Sequence, residues 1–147
     1  GYHAWVDPGS VALFILGEPP TLRIAHPATG ESRVEARDIG RTLLPVPGTE
    51  RSVSFLQHRG DAGSWITELD PATGAIRPLV RVFPENEFFT WTPNGTLLTA
   101  RGSQIYAWRE SWGRWRGVAD LSPHGITGIS RLAVSPEGDR LALVAQR

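Results

Sequence analysis

Cysteine, methionine and lysine are all missing from this chain of 147 residues. Without cysteine there are no disulfides, no thiolate metal ligands and no cysteine nucleophile, and the redox compartment is left open. Without lysine, all fifteen basic residues are arginines, the usage of a GC-rich genome, and they balance fifteen acidic residues. A net charge of zero gives no overall field to favour nucleic acid or an anionic membrane, so partners must be recognised locally. Without methionine, Gly1 is not expected to be a native start, and the chain reads as excised or processed from something longer, a step in which a secretory signal could have been lost. No apolar run approaches the roughly 20 residues of a spanning helix, and no charged and apolar pair of segments resembles a signal peptide. Long amphipathic helical patterns are missing too.

What is present is a globular composition, 40% hydrophobic and 20% charged, in a chain long enough to bury about 70% of its unfolded surface. It also repeats. Four segments place an apolar residue before a turn closed by glycine and follow it with a β-rich run: Trp5 to Phe14, Leu44 to Phe55, Trp91 to Leu98 and Val134 to Leu143. Their closing glycines, Gly9, Gly48, Gly95 and Gly138, are 39, 47 and 43 residues apart. A second turn lies out of phase with the first, at His26-Pro-Ala-Thr-Gly30 and Asp70-Pro-Ala-Thr-Gly74, with a degenerate third copy at Glu110-Ser-Trp-Gly113. Proline at the second position fixes φ and glycine at the end supplies positive φ, so both motifs are hairpin connections. The runs between them, Val11 to Leu16, Thr21 to Ala25, Val53 to Gln57, Ser64 to Leu69, Gln104 to Arg109 and Leu141 to Ala145, have strand length and composition.

A period of about 43 residues with two hairpins per unit describes an all-β chain of propeller blades, each of four strands. A β-sandwich also has short strands and frequent turns, but it does not repeat its two turn types in fixed order. The sequence therefore predicts a partial β-propeller of about three and a half blades in a single segment, 1–147. Blade 1 covers about 1–40, blade 2 about 41–86, blade 3 about 87–127 and a partial fourth about 128–147.

The segments Phe88-Phe-Thr-Trp-Thr-Pro-Asn-Gly-Thr-Leu-Leu98 and Ile129-Ser-Arg-Leu-Ala-Val-Ser-Pro-Glu-Gly-Asp-Arg-Leu-Ala-Leu143 resemble the WD40-like PD40 repeat of bacterial TolB-like propellers. Asp70-Pro-Ala-Thr-Gly74 stands where that family has its Asp-x-x-x-Gly connection. The second unit departs from the pattern at Pro45 and Pro47, and the first has Asp7 before Pro8. The resemblance implies an innermost strand lining a central channel, here Tyr2 to Trp5, Arg41 to Leu44, Phe88 to Trp91 and Arg131 to Val134. It also implies a ring of six to eight blades, so this chain would be the C-terminal half of a longer propeller, completed by the missing half or by self-association. By the same resemblance the compartment is extracytoplasmic, such as the periplasm.

Two groups of residues are candidates for a binding role. His3, Arg41, Glu85, Glu87 and Arg131 fall on or beside the expected inner strands, where a polar ring could hold a small anion or a peptide terminus. Trp112, Arg114 and Trp115, with Trp108, Arg109 and Arg116, sit where the second turn motif is most altered, an arrangement able to stack on a cation or a sugar. The plainer reading is that arginine stems pack over blade aromatics. Trp5 and Trp91, at equivalent repeat positions, are expected to be core markers. The four histidines never take a metal-ligand spacing, no metal or cofactor is implied, and no nucleophile elbow, paired carboxylates or phosphate loop is found. Asn94-Gly-Thr96 matches a glycosylation acceptor but overlays a repeat turn. Arg33, Glu35, Arg37 and Asp38 read as a solvated outer edge strand.

These residues point to a non-catalytic module that binds a protein or peptide, with neither nucleic acid nor membrane insertion involved. The alternatives are a propeller that gates a serine peptidase or other hydrolase whose catalytic residues lie outside this chain, and a propeller piece whose role is assembly alone.

Overall fold

The structure, a computed structural model, describes residues 2–84 and 86–146. It divides into two compact units, 1–82 and 83–147. The first unit holds two four-stranded antiparallel meanders. One is β1 (His3–Asp7), β2 (Ser10–Ile15), β3 (Thr21–His26) and β4 (Glu31–Arg37); the other is β5 (Ile39–Pro45), β6 (Val53–His58), β7 (Ser64–Asp70) and β8 (Ala75–Arg81). The second unit holds a four-stranded meander, β9 (Thr90–Trp91), β10 (Leu97–Arg101), β11 (Gln104–Trp108) and β12 (Arg116–Asp120), and a two-stranded sheet, β13 (Thr127–Val134) with β14 (Leu141–Gln146). Two single 3-10 turns, Gly60–Ala62 and Ser122–His124, interrupt the connections.

Each four-stranded sheet takes its strands in sequence order, as a blade does, and the period-two alternation decides which face is packed. In the first unit Ala4, Ala12, Leu22, Ile24 and Ala36 of one sheet meet Ile39, Leu43, Val53, Phe55 and Leu69 of the next. Three alanines on one side leave room for Phe55 on the other, which is fully buried, so large and small side chains interdigitate. In the second unit Phe88, Ala100 and Ile105 meet Ile129 and Leu132. The charge-rich segment lies where the sequence places it, since β4 is an outer edge strand.

Two expectations are corrected. Trp5 is not a core marker: it is 55% exposed, while its neighbour Ala4 is buried. Successive side chains leave opposite faces of a strand, so with Ala4 turned into the packed face Trp5 must leave by the other. Trp91 pairs with Leu97 as Trp5 pairs with Val11, which keeps the repeat equivalence, but Trp91 is only half-buried. The inner strand expected over Phe88 to Trp91 is reduced to Thr90–Trp91. Ahead of it, side chains replace the backbone ladder: the Thr99 hydroxyl donates to the Phe88 carbonyl at 3.0 Å and the Asn86 side-chain amide donates to the Ala100 carbonyl. Phe88 and Phe89 are therefore buried as loop residues.

Candidate functional site

The second turn motif closes in the same way three times. The amide of Gly30 donates to the His26 carbonyl at 2.9 Å, that of Gly74 to Asp70 at 2.8 Å, and that of Gly113 to Arg109 at 3.4 Å. The degenerate copy therefore begins at Arg109, one residue earlier than the sequence reading places it, and His26, Asp70 and Arg109 hold one repeat position. All three closing glycines have φ near +70° to +75°, a region in which glycine alone is unstrained.

The three side chains at that position do different work. Asp70 caps its own turn, its Oδ1 accepting the Ala72 amide at 2.9 Å. His26 reaches instead to Ser10, with 3.1 Å between Nδ1 and Oγ, and Arg109 donates its Nε to Thr96 Oγ1 at 2.8 Å. Ser10 and Thr96 each follow the closing glycine of the first turn motif, so in both cases one turn is tied to the other. Ser10 lies close enough to the Asp7 carboxylate to help lower its pKa, and which of Ser10 Oγ and His26 Nδ1 donates to the other follows the imidazole tautomer.

These groups line an open cleft of about 490 Å³ at the rim of the first unit, whose walls include Val6, Asp7, Ile24, Glu31, Arg51 and Pro71. The Asp7 carboxyl is held below its ordinary value chiefly by the Gly9 amide, with lesser help from Ser10 and the Arg51 guanidinium, 3.8 Å away, against desolvation, which is second in size. Asp7, Ser10 and His26 are the residue types of a hydrolytic triad in the wrong order. In such a relay the imidazole lies between carboxylate and hydroxyl so that it can take the hydroxyl proton. Here His26 meets the Ser10 hydroxyl, but no hydrogen bond joins it to Asp7 among the described residues. Among the described residues no group of three His, Cys, Asp or Glu side chains is placed to hold a metal ion.

In the second unit the β11–β12 hairpin carries the aromatic and arginine cluster. The Arg116 guanidinium lies 4.3 Å from the centre of the Trp112 ring and that of Arg109 5.8 Å from it. Arg114 is exposed beside them. Trp115 turns away, its ring 6.1 Å from that of Phe83, which in turn packs 4.7 Å from Tyr106 and under Arg101. Trp112 and Arg114 thus belong to an exposed hairpin tip, and Trp115 to the packing of its own sheet.

The expected inner-strand ring is distributed over both units. In the first, His3 on β1 and Arg41 on β5 are exposed, and Arg41 lies 5.7 Å from the centre of the Tyr2 ring, itself edge-on to Phe14. In the second, Glu87 precedes β9, and Arg131 on β13 lies 6.0 Å from the Phe88 ring centre while donating to the Ser130 carbonyl at 2.6 Å. Glu85 lies outside the described residues. Both inner arginines are thus engaged with aromatic rings of their own unit. Sequence reasoning missed the cleft. The signal that marks it is the replacement of the capping aspartate by histidine in one of two otherwise identical turns.

Consecutive four-stranded antiparallel meanders, in sequence order and packed face to face within a unit, define the class as a β-propeller. The fold is TolB-like: the chain is similar to TolB from Acinetobacter baumannii with a TM-score of 0.72 at 18% identity, over 99% of this chain. It spans 37% of the length of that protein. No family model and no curated protein sequence matches it.

Proposed function

We propose that this chain is a non-catalytic propeller module that binds a protein or peptide, and that its partner presents carboxylates to the β11–β12 hairpin. The observation that carries the reading is Arg116, whose guanidinium lies over the Trp112 ring at 4.3 Å with no hydrogen bond or ion pair to the described residues. A guanidinium held over a ring keeps its N–H groups free for a partner. It is then held in place to grip a carboxylate with two parallel bonds, and less side-chain freedom is lost on binding. Arg114 adds a second unpaired guanidinium, and Glu110 is the only acid among residues 109–116. A chain of zero net charge thus carries a local excess of positive charge at one exposed tip, which supports recognition through electrostatic complementarity at short range. The TolB-like fold supports a binding role at the level of the class.

The test is fluorescence anisotropy with a labelled glutamate-rich peptide and a lysine-rich control. Binding of the acidic peptide that weakens with added salt, and that falls about tenfold or more in Arg116→Ala, is the expected result. Equal binding of both peptides, or binding unchanged in the double variant Arg114→Ala, Arg116→Ala, would contradict the proposal.

A further inference from the structure

We infer that the cleft in the first unit is a pocket for a basic side chain, arginine or lysine, of a bound peptide. The site is separate from the hairpin and does not depend on it.

Its floor is apolar: the packed core of the unit ends at Val6 and Ile24, and Pro71 flanks them. Its charged lining is Asp7 and Glu31 with Arg33 and Arg51, and both arginines are already paired. Arg33 is neutralised by Glu35, with 2.5 Å between Nε and Oε1, and Arg51 by Asp7. That leaves Glu31, whose carboxylate has no ion-pair partner among the described residues. Glu31 stands directly opposite His26 across the β3–β4 pair, and opposed residues of an antiparallel pair share a face. The His26 ring adds to this. Its Nδ1 is engaged by Ser10, which leaves Nε2 without a partner among the described residues.

One uncompensated carboxylate beside an imidazole, above an apolar floor, matches a cation on a methylene stem. The stem lies on Val6 and Ile24 and the head donates to Glu31. An acidic side chain would meet Glu31 unpaired, and a purely apolar one would strip water from these acceptors without replacing it. The volume, about 490 Å³, lies in the range of sites that bury a small ligand, roughly 300 to 1,000 Å³. It therefore holds such a side chain with part of its backbone.

The experiment is an NMR titration of the full chain with three capped tripeptides, alanine flanking a central arginine, glutamate or norleucine. Saturable shifts of the Gly9, Ser10 and Glu31 amides and of the His26 ring are expected with the arginine peptide and not with the other two. Glu31→Gln is expected to weaken that response about tenfold, the loss of one charge-assisted bond. Glu31→Lys is expected to transfer the preference to the glutamate peptide. Because Glu31 is exposed, neither variant touches the core, and unchanged shifts elsewhere will show that each is folded. Arginine-peptide shifts that are absent, confined to other residues, or undiminished in Glu31→Gln would overturn the assignment. The hairpin is read separately in the same spectra through the Trp112 indole, so failure of one site is distinguishable from failure of the other.

Discussion

His26 and Ser10 are joined across two different turns of one blade by a hydrogen bond of 3.1 Å, in the same way that Arg109 and Thr96 are joined at 2.8 Å in the third sheet. Each bond ties the second turn of its sheet back to the residue that follows the first turn, so the repeat encodes a tether between its two turns as well as the turns themselves. Ser10 is buried, and removing its hydroxyl takes away the partner of His26 Nδ1. Ser10→Ala is expected to lower stability by about 1 to 2 kcal/mol, measured by urea unfolding.

The core of the first unit rests on Phe55, fully buried against the alanines of the neighbouring sheet. Phe55→Ala is expected to cost about 3 to 5 kcal/mol, the transfer free energy plus an unfilled cavity. Trp5→Ala is expected to cost under about 1 kcal/mol, because the ring already faces solvent. Trp91, half-buried, should fall between them. The ranking of these three variants by denaturant midpoint checks the strand register directly.

Gly63 closes the 3-10 turn before β7 with φ +81° and ψ −163°, a region open essentially to glycine alone. A Cβ at this position would also fall 2.5 Å from Arg81 Nε. Gly63→Ala is expected to destabilise the unit by about 1 to 3 kcal/mol. Gly30→Ala, where nothing lies within 4 Å of the Cβ position, is expected to cost less than Gly63→Ala in thermal melts.

Asp7 and Asp120 both have carboxyls held below their ordinary value, chiefly by the backbone amides of Gly9 and Ser122. A depressed folded-state value means the stabilisation is complete above the unfolded value of 3.8 and is lost as pH falls through the folded value. Thermal midpoints measured from about pH 6 down to about pH 2 are expected to fall below pH 4 in the wild type. In Asp7→Asn and Asp120→Asn the part of that fall due to each residue should be missing. An acid limb of the same depth in both variants would show that neither carboxylate carries the linkage.

Much of this architecture was legible in the chain. Strands such as Thr21–His26 and Ser64–Asp70 could be read because β-branched and apolar runs sit between turns whose proline and glycine have one conformational use. The outer edge at β4 could be read because its charges suit solvent. The face taken by Trp5 could not, since period two says that neighbours diverge without saying which of them points inward, and a tryptophan is a poor guide when an alanine fills the packed face. Nor could the two-residue length of β9, which depends on Thr99 and Asn86 reaching backbone carbonyls that the pattern assigns to a ladder. The cleft was hidden for a related reason. A histidine in place of aspartate reads as one more turn residue until the structure shows its ring turned away from the turn and toward Ser10.

The central functional claim is that a carboxylate-bearing partner is gripped at the tip of the β11–β12 hairpin. It is tested most directly by hydrogen exchange of the protein with and without a glutamate-rich peptide. The account expects slower exchange confined to residues 109–116, abolished in the double variant Arg114→Ala, Arg116→Ala. Protection that falls elsewhere, or that survives in the double variant, would contradict it.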